Sequence, residues 1–246
     1  MLKTITGIVL KTDEYGESDK ILTVFSKEDG KLPVLYKRAK VLKKGGGAVS
    51  QLFSVSEYAC FVGKNFYIHN QSMLLKSFAG LQKSLKKLAA ASYLAQLLNF
   101  AYENYQKDER AYMLLLYCLN KIEKSTEKEV TAYIALFQMK LLALIGYSPM
   151  LNACVLCGSD SDLGSFDVEQ GGIMCEQCSR TMQKYRHISE AERKILNLLL
   201  NIVLKQEDFT NIDSNHLLNL VELLHCCLTD KLEKQLSTYD FLIAVL

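Results

Sequence analysis

The sequence predicts a multidomain α+β protein: a small N-terminal β-barrel, then a mostly helical domain interrupted by a four-cysteine insertion. Three observations carry that expectation. Apolar residues alternate with a period of two, between short turn signals, up to about position 75. Near Gly80 the period becomes 3.6. Two Cys-x-x-Cys pairs, Cys154/Cys157 and Cys175/Cys178, then break the helical pattern. The expected boundaries are 1–79 for the barrel, 80–149 and 183–246 for the helical domain, and 150–182 for the insertion. A chain of 246 residues is long enough for two modest cores.

Thr4 to Thr12 is rich in β-branched residues and reads as the first strand, with Gly7 as a candidate bulge. A polar turn, Asp13 to Asp19, leads to a second strand at Ile21–Phe25. Asp29-Gly30 signals a hairpin into a third, Leu32–Tyr36. The stretch from Lys37 to Gly47 has no apolar period and reads as a long basic loop. Leu52 to Val62 is the fourth strand, alternating through Phe53, Val55, Glu57 and Ala59, and Phe66 to His69 begins the fifth. Five short strands with one long loop suggest an OB-fold β-barrel, with an SH3-like barrel as the alternative.

A long helix is expected through Leu81, Leu85, Leu88, Ala91, Ala95, Leu98 and Tyr102, and a second through Tyr112, Leu115, Leu119 and Ile122. Thr126-x-x-Glu129 is a capping box that opens a third, stopped at Gly146 with Pro149 beyond. Ser189-x-x-Glu192 is another capping box. Further helices are expected over 214–228 and near Phe241.

The net charge of +2 is unevenly distributed. Residues 1–80 carry twelve Lys/Arg against seven Asp/Glu, and residues 154–180 one against five. A basic front half calls for an acidic partner. Met1 to Leu10 lacks the apolar core of a signal peptide, and no apolar run reaches membrane-spanning length. The expectation is a cytoplasmic protein with no membrane contact. Cys60, Cys118, Cys226 and Cys227 sit in apolar periodic contexts and read as buried free thiols of a reducing compartment.

Two thiolates three positions apart in a tight turn can point at one ion, and two such turns complete a tetrahedron. Seventeen residues separate the pairs, a spacing suited to one structural Zn2+ per chain on Cys154, Cys157, Cys175 and Cys178. The alternative is redox dithiols. Neither pair is expected to open a helix after a strand, as a thioredoxin-like motif would. Four protein sulfurs leave no position for an activated water, so the zinc-finger insertion is read as structural. The four histidines are scattered, and His225-Cys226-Cys227 reads as helix surface.

Lys37, Arg38, Lys40, Lys43 and Lys44 place five positive charges within eight residues ahead of three glycines. Such a loop suits a phosphate backbone, although a solvated lysine-rich turn is a common alternative. OB-type barrels bind single strands using aromatic residues beside basic ones, and Tyr15, Tyr36, Phe53, Tyr58, Phe66 and Tyr67 are available. Enzyme signatures are missing: there is no phosphate-binding G-x-x-x-x-G-K-[ST], no dinucleotide fingerprint, no nucleophile elbow and no zinc-deaminase pattern. The chain reads as a binder without chemistry of its own.

The order of parts resembles the bacterial RecO family of recombination mediators. The resemblance rests on Gly7-Ile8-Val9-Leu10-Lys11, Tyr15-Gly16-Glu17-Ser18-Asp19-Lys20, Gly30-Lys31 and the basic loop. It continues through Leu144-Ile145-Gly146-Tyr147-Ser148-Pro149, the first Cys-x-x-Cys, and Gly171-Gly172-Ile173-Met174 ahead of the second. The resemblance implies an OB-fold, a helical domain and a zinc finger. It implies binding of single- and double-stranded DNA, annealing of complementary strands and no enzymatic activity. It also implies partnership with RecR, with the C-terminal tail of single-stranded-DNA-binding protein (SSB), and indirectly with RecA during its loading. Lys11 and Lys20 then join the loop as candidate DNA contacts, and the path is expected to continue near Lys83, Lys86 and Lys87. The competing reading is a zinc-containing protein–protein adaptor whose barrel does not touch nucleic acid.

Overall fold

The computed structural model describes residues 1–39, 47–206 and 208–246. The chain runs through strands β1 (Leu2–Tyr15), β2 (Asp19–Ser26), β3 (Gly30–Tyr36), β4 (Val55–Val62) and β5 (Tyr67–Lys76). Helices α1 (Leu85–Ala101), α2 (Glu109–Lys124) and α3 (Glu127–Leu144) follow. Then come β6 (Leu163–Asp167), β7 (Gly172–Cys175), α4 (Glu176–Ser179), β8 (Arg186–His187), α5 (Glu190–Asn201), α6 (Ser214–Leu232) and α7 (Ser237–Val245). Two compact units result, Met1–Lys124 with Thr238–Val245, and Ser125–Ser237. No helix among the described residues is long and apolar enough to cross a membrane.

In the first unit the five strands close in the order β1-β2-β3-β5-β4. β1 pairs antiparallel with both β2 and β4, while β3 and β5 are parallel at Val34↔Tyr67 and Leu35↔Ile68. This is the OB arrangement. The interior holds Ile5, Val9, Leu22, Val24, Leu32, Val34, Tyr36, Tyr58, Cys60 and Tyr67.

Three local expectations change. Gly7 is not a bulge: it sits in register with Ser26, and a Cβ there would meet Val24 Cγ1 at 2.2 Å. The irregularity falls between Val9 and Lys11, and it shifts the inward set from Val9 to Thr12, leaving Lys11 and Asp13 facing out. The fourth strand starts at Val55, because Phe53 adopts φ +67°, and its inward residues are Ser56, Tyr58 and Cys60. The helix expected from Leu81 is two elements. Ser84 is extended at φ −134° and caps α1, its Oγ accepting from the Lys87 N–H, so Leu81 belongs to a preceding 3-10 turn and Leu85 is 58% exposed.

Gly30 ends the β2–β3 turn at φ +71°, in the left-handed region that favours glycine. Its missing side chain lets residues 104–106 approach: the Tyr105 N–H donates to the Lys31 carbonyl at 2.6 Å, and Lys31 bridges to Asn104. At that end of the barrel the outer face is covered, with Phe25 packed edge-on against Tyr102 at 5.3 Å. α7 joins this unit through Thr238, whose N–H and hydroxyl both donate to Gln96 Oε1.

The second unit is centred on α3, whose residues from Val130 to Met139 are all buried. Gln138 donates from Nε2 to the Val221 carbonyl in α6, and Lys140 donates from Nζ to the Leu200 and Ile202 carbonyls at the end of α5. Both predicted capping boxes form, at Thr126/Glu129 and Ser189/Glu192. Of the four cysteines outside the paired motifs, Cys60, Cys118 and Cys227 are buried. Cys226 is exposed, on the outer side of α6.

Candidate metal centre and nucleic-acid interface

Four sulfurs converge in the second unit. The Gly158 N–H donates to the Cys154 carbonyl at 2.8 Å, and Gly158, at φ +77°, turns the chain back, so that Cys154 and Cys157 share one tight loop. The Val155 N–H donates to the Ile173 carbonyl, which hangs that loop on β7. β7 ends on Cys175, α4 begins there, and one helical turn presents Cys178. All four Sγ atoms lie within 4.8 Å of one another, with Cys157 and Cys175 3.8 Å apart. Among the described residues this is the one His/Cys/Asp/Glu cluster placed to hold an ion. The expectation that neither pair opens a helix after a strand is corrected for the second pair. Cys175 is both the last residue of β7 and the N-cap of α4.

Cys154 and Cys175 are buried with Met174, and Val155, Leu163, Cys178 and Met182 pack around them. Burial opposes ionisation of Cys154, yet the backbone N–H groups of Cys175, Cys157 and Leu156 outweigh it and bring that thiol down to about 6. Hydrogen bonding with Cys157 and Cys175 pushes Cys178 up to about 12. A donor set of four sulfurs within 4.8 Å of one another fits a metal ion. A groove of about 700 Å3, lined in part by Phe166, Met182, Tyr185 and Leu223, lies in the same unit and includes none of the four sulfurs.

The predicted DNA contacts fall into three groups. Lys20, Lys37 and Arg38 come together at one end of the barrel. Lys20 pairs across from Tyr36, and the Arg38 N–H donates to Asp19 Oδ1 at 2.8 Å, pinning the exit of β3 to the β1–β2 turn. Arg38 holds φ +54° there, and Lys37 and Arg38 are both exposed. Lys11 stands apart, paired with Asp13 at 2.7 Å. Lys40, Lys43 and Lys44 lie outside the described residues. Of the helical lysines, Lys83 is exposed, Lys86 is half-buried, and Lys87 donates from Nζ to the Glu123 carbonyl near the end of α2. Sequence reasoning missed Lys64, exposed in the β4–β5 turn. Its position beside Phe66 was the available signal.

The six aromatic candidates separate cleanly. Tyr36, Phe53, Tyr58 and Tyr67 are buried, the first, third and fourth of them inside the barrel. Tyr15 is 49% exposed and Phe66 half-buried. Burial also pushes His69 down to about 4, so it is neutral at pH 7. It shares a hydrogen bond with Ser72 Oγ and stands edge-on to Tyr36.

Residues 1–78 match the family described as Recombination protein O N terminal, and residues 82–240 the one described as Recombination protein O C terminal. The chain belongs to the RecO family of DNA repair proteins. The DNA repair protein RecO of Acetivibrio thermocellus is 30% identical over 242 residues, 98% of this chain and 96% of that protein. Those of Caldanaerobacter subterraneus and a Thermoanaerobacter species are 33% and 34% identical, over 82% and 81% of this chain and 80% of each relative. A role in DNA repair and recombination follows from membership.

Proposed function

We propose that this chain is a non-enzymatic recombination mediator that binds single- and double-stranded DNA through its barrel and anneals complementary strands. With RecR it helps load RecA on DNA coated with SSB, whose C-terminal tail it engages. One observation carries the reading. The closed OB-type barrel gathers Lys20, Lys37 and Arg38 at one end, and among the described residues no carboxylate forms an ion pair with any of the three. Cations outside any ion pair, though with Asp19 and Glu14 close by, on a fold built to take single strands suit a phosphate backbone. The basic loop residues Lys40, Lys43 and Lys44 extend the same charge, and Lys83 continues it along the chain. The barrel 1–79, the helical domain 80–149 with 183–246, and the insertion 150–182 act as the functional divisions. The place of work is the cytoplasm, at the nucleoid.

The metal in this reading is a structural Zn2+. A tetrahedral site with Zn–S bonds of about 2.3 Å separates its sulfurs by about 3.8 Å, the distance between Cys157 and Cys175. The segment around it is acidic, with Arg180, its one basic residue, already paired to Glu176. Zinc therefore holds the insertion together, and the DNA lies on the barrel.

The test is a mobility-shift series against salt with single-stranded and duplex DNA. Each lost phosphate contact flattens the logarithmic salt slope by about 0.7 for single strands and about 0.9 for duplex. Alanine at Lys37, Arg38, Lys40, Lys43 and Lys44 together should weaken binding and flatten the slope by up to about 3.5 on single strands. Binding that is unchanged at low salt would remove the barrel end from the DNA path and favour the protein–protein adaptor.

A further inference from the structure

The outer face of the barrel is closed at one end and open at the other. Phe25 is covered by Tyr102, whereas Ile21, Leu35 and Ile68 form a cross-strand row over β2, β3 and β5 that stays partly exposed. The open face is flanked by two rings from different turns. Tyr15 ends β1 and Phe66 immediately precedes β5, and the ring centroids lie 6.4 Å apart with the planes tilted by 51°. Of the seven other aromatic residues in 1–79, six are buried and Phe61 is exposed on β4, so Tyr15 and Phe66 are the partly exposed rings that lie against each other. Exposed Lys64 stands two residues from Phe66.

We propose that Tyr15 and Phe66 form a stacking platform for unpaired nucleobases, with Ile21, Leu35 and Ile68 as its apolar floor. The inference rests on the DNA-binding reading above and assigns the residues that would take the bases. Flat apolar rings at the barrel end that carries Lys20, Lys37 and Arg38 match a ligand that is itself flat, apolar on its faces and negatively charged along its backbone. A duplex keeps those faces stacked inside, so the platform selects single strands. It would also hold a strand with its base edges free, the state that annealing needs.

The chain contains no tryptophan, so Phe66→Trp installs a single reporter. Its emission should be quenched by oligo(dT) with the midpoint seen in a mobility shift. An abasic oligomer of equal length should bind without quenching. Tyr15→Ala and Phe66→Leu should each weaken oligo(dT) binding about ten-fold while leaving the salt slope unchanged. Phe66→Leu keeps apolar volume, which separates loss of the ring from loss of the fold. Oligo(dT) that binds without quenching, or losses below two-fold in both variants, overturns the platform and leaves DNA binding standing. Absence of any oligo(dT) binding by the unaltered chain overturns both.

Discussion

Replacing Glu192 by alanine should cost this protein more than any surface change of similar size. The carboxylate is in the first turn of α5, only 7% exposed, and it serves two helices. Oε2 accepts from the Ser189 N–H and the Ser189 hydroxyl, both at 2.9 Å, while Ser189 Oγ accepts from the Glu192 N–H. Oε1 accepts from Asn219 Nδ2 in α6 at 2.9 Å and lies 3.6 Å from His216 Nδ1. Loss of the cap is worth about 1 kcal/mol, and loss of a charge-assisted bond to a buried partner about 1.5–3 kcal/mol. Glu192→Ala should therefore lose about 2–4 kcal/mol, and Glu192→Gln, which keeps one acceptor, less. Urea unfolding followed at 222 nm, with amide exchange at Ser189 and Glu192, reads both. A pH series adds a check on sign. Burial works to raise the Glu192 pKa, but bonds from Ser189 and Asn219 and the charge of His216 outweigh it and hold the group below its ordinary 4.5. Its stabilisation is fully present above about 4.5 and is lost as pH falls through the lower folded value. The wild-type advantage over Glu192→Gln should shrink as pH falls below about 4.5. A Glu192→Ala protein within about 0.5 kcal/mol of wild type would refute this account of the α5–α6 junction.

Other perturbations test other parts. Gly30→Ala should destabilise the barrel by about 2–5 kcal/mol in thermal unfolding, because φ is +71° and a Cβ would lie 1.9 Å from the Gln106 carbonyl oxygen. Gly16→Ala, at φ +59° with nothing within 4 Å, should cost only about 1 kcal/mol. Lys140→Met removes the donor to the Leu200 and Ile202 carbonyls and should lower stability by about 1–3 kcal/mol in urea titration, with α5 exchanging first. Cys175→Ser should release the metal and unravel residues 150–182 while barrel amides keep their protection. Retained metal and unaltered helical stability would rule that out.

Features whose chemistry is local were legible in the sequence. The two capping boxes form as written because Ser or Thr with Glu three positions on satisfies the same N–H groups wherever it occurs. The Asp29-Gly30 turn and the paired cysteines are equally self-contained. Features set by packing were not legible. Ser84 could continue a helix or cap one, and only the burial of Leu81 within its own 3-10 turn, Ala79–Lys83, decides it. The bulge after Val9 leaves no residue signature, since Leu10 suits a strand in either register. Cys226 and Cys227 look alike in sequence, and helix phase alone buries one and exposes the other. The six aromatic candidates in the barrel region likewise could not be sorted by type. Their separation into four buried and two surface residues comes from strand parity and turn position.

That sorting changes what the charge distribution means. A basic front half attracts any polyanion and does not by itself distinguish duplex from single strand. Selectivity needs a surface that only unpaired bases can use. The proposed platform of the open apolar row with Tyr15 and Phe66 would supply one beside strands β2 and β3, where OB barrels take oligonucleotides. The acidic insertion is a poorer candidate: it carries five carboxylates over 154–180, and its one arginine is paired with Glu176. If charge alone governed binding, salt slope and strand preference would change together across the variants. If the rings govern preference, Tyr15 and Phe66 variants should lose single strands and keep duplex, while Lys37 and Arg38 variants should weaken both.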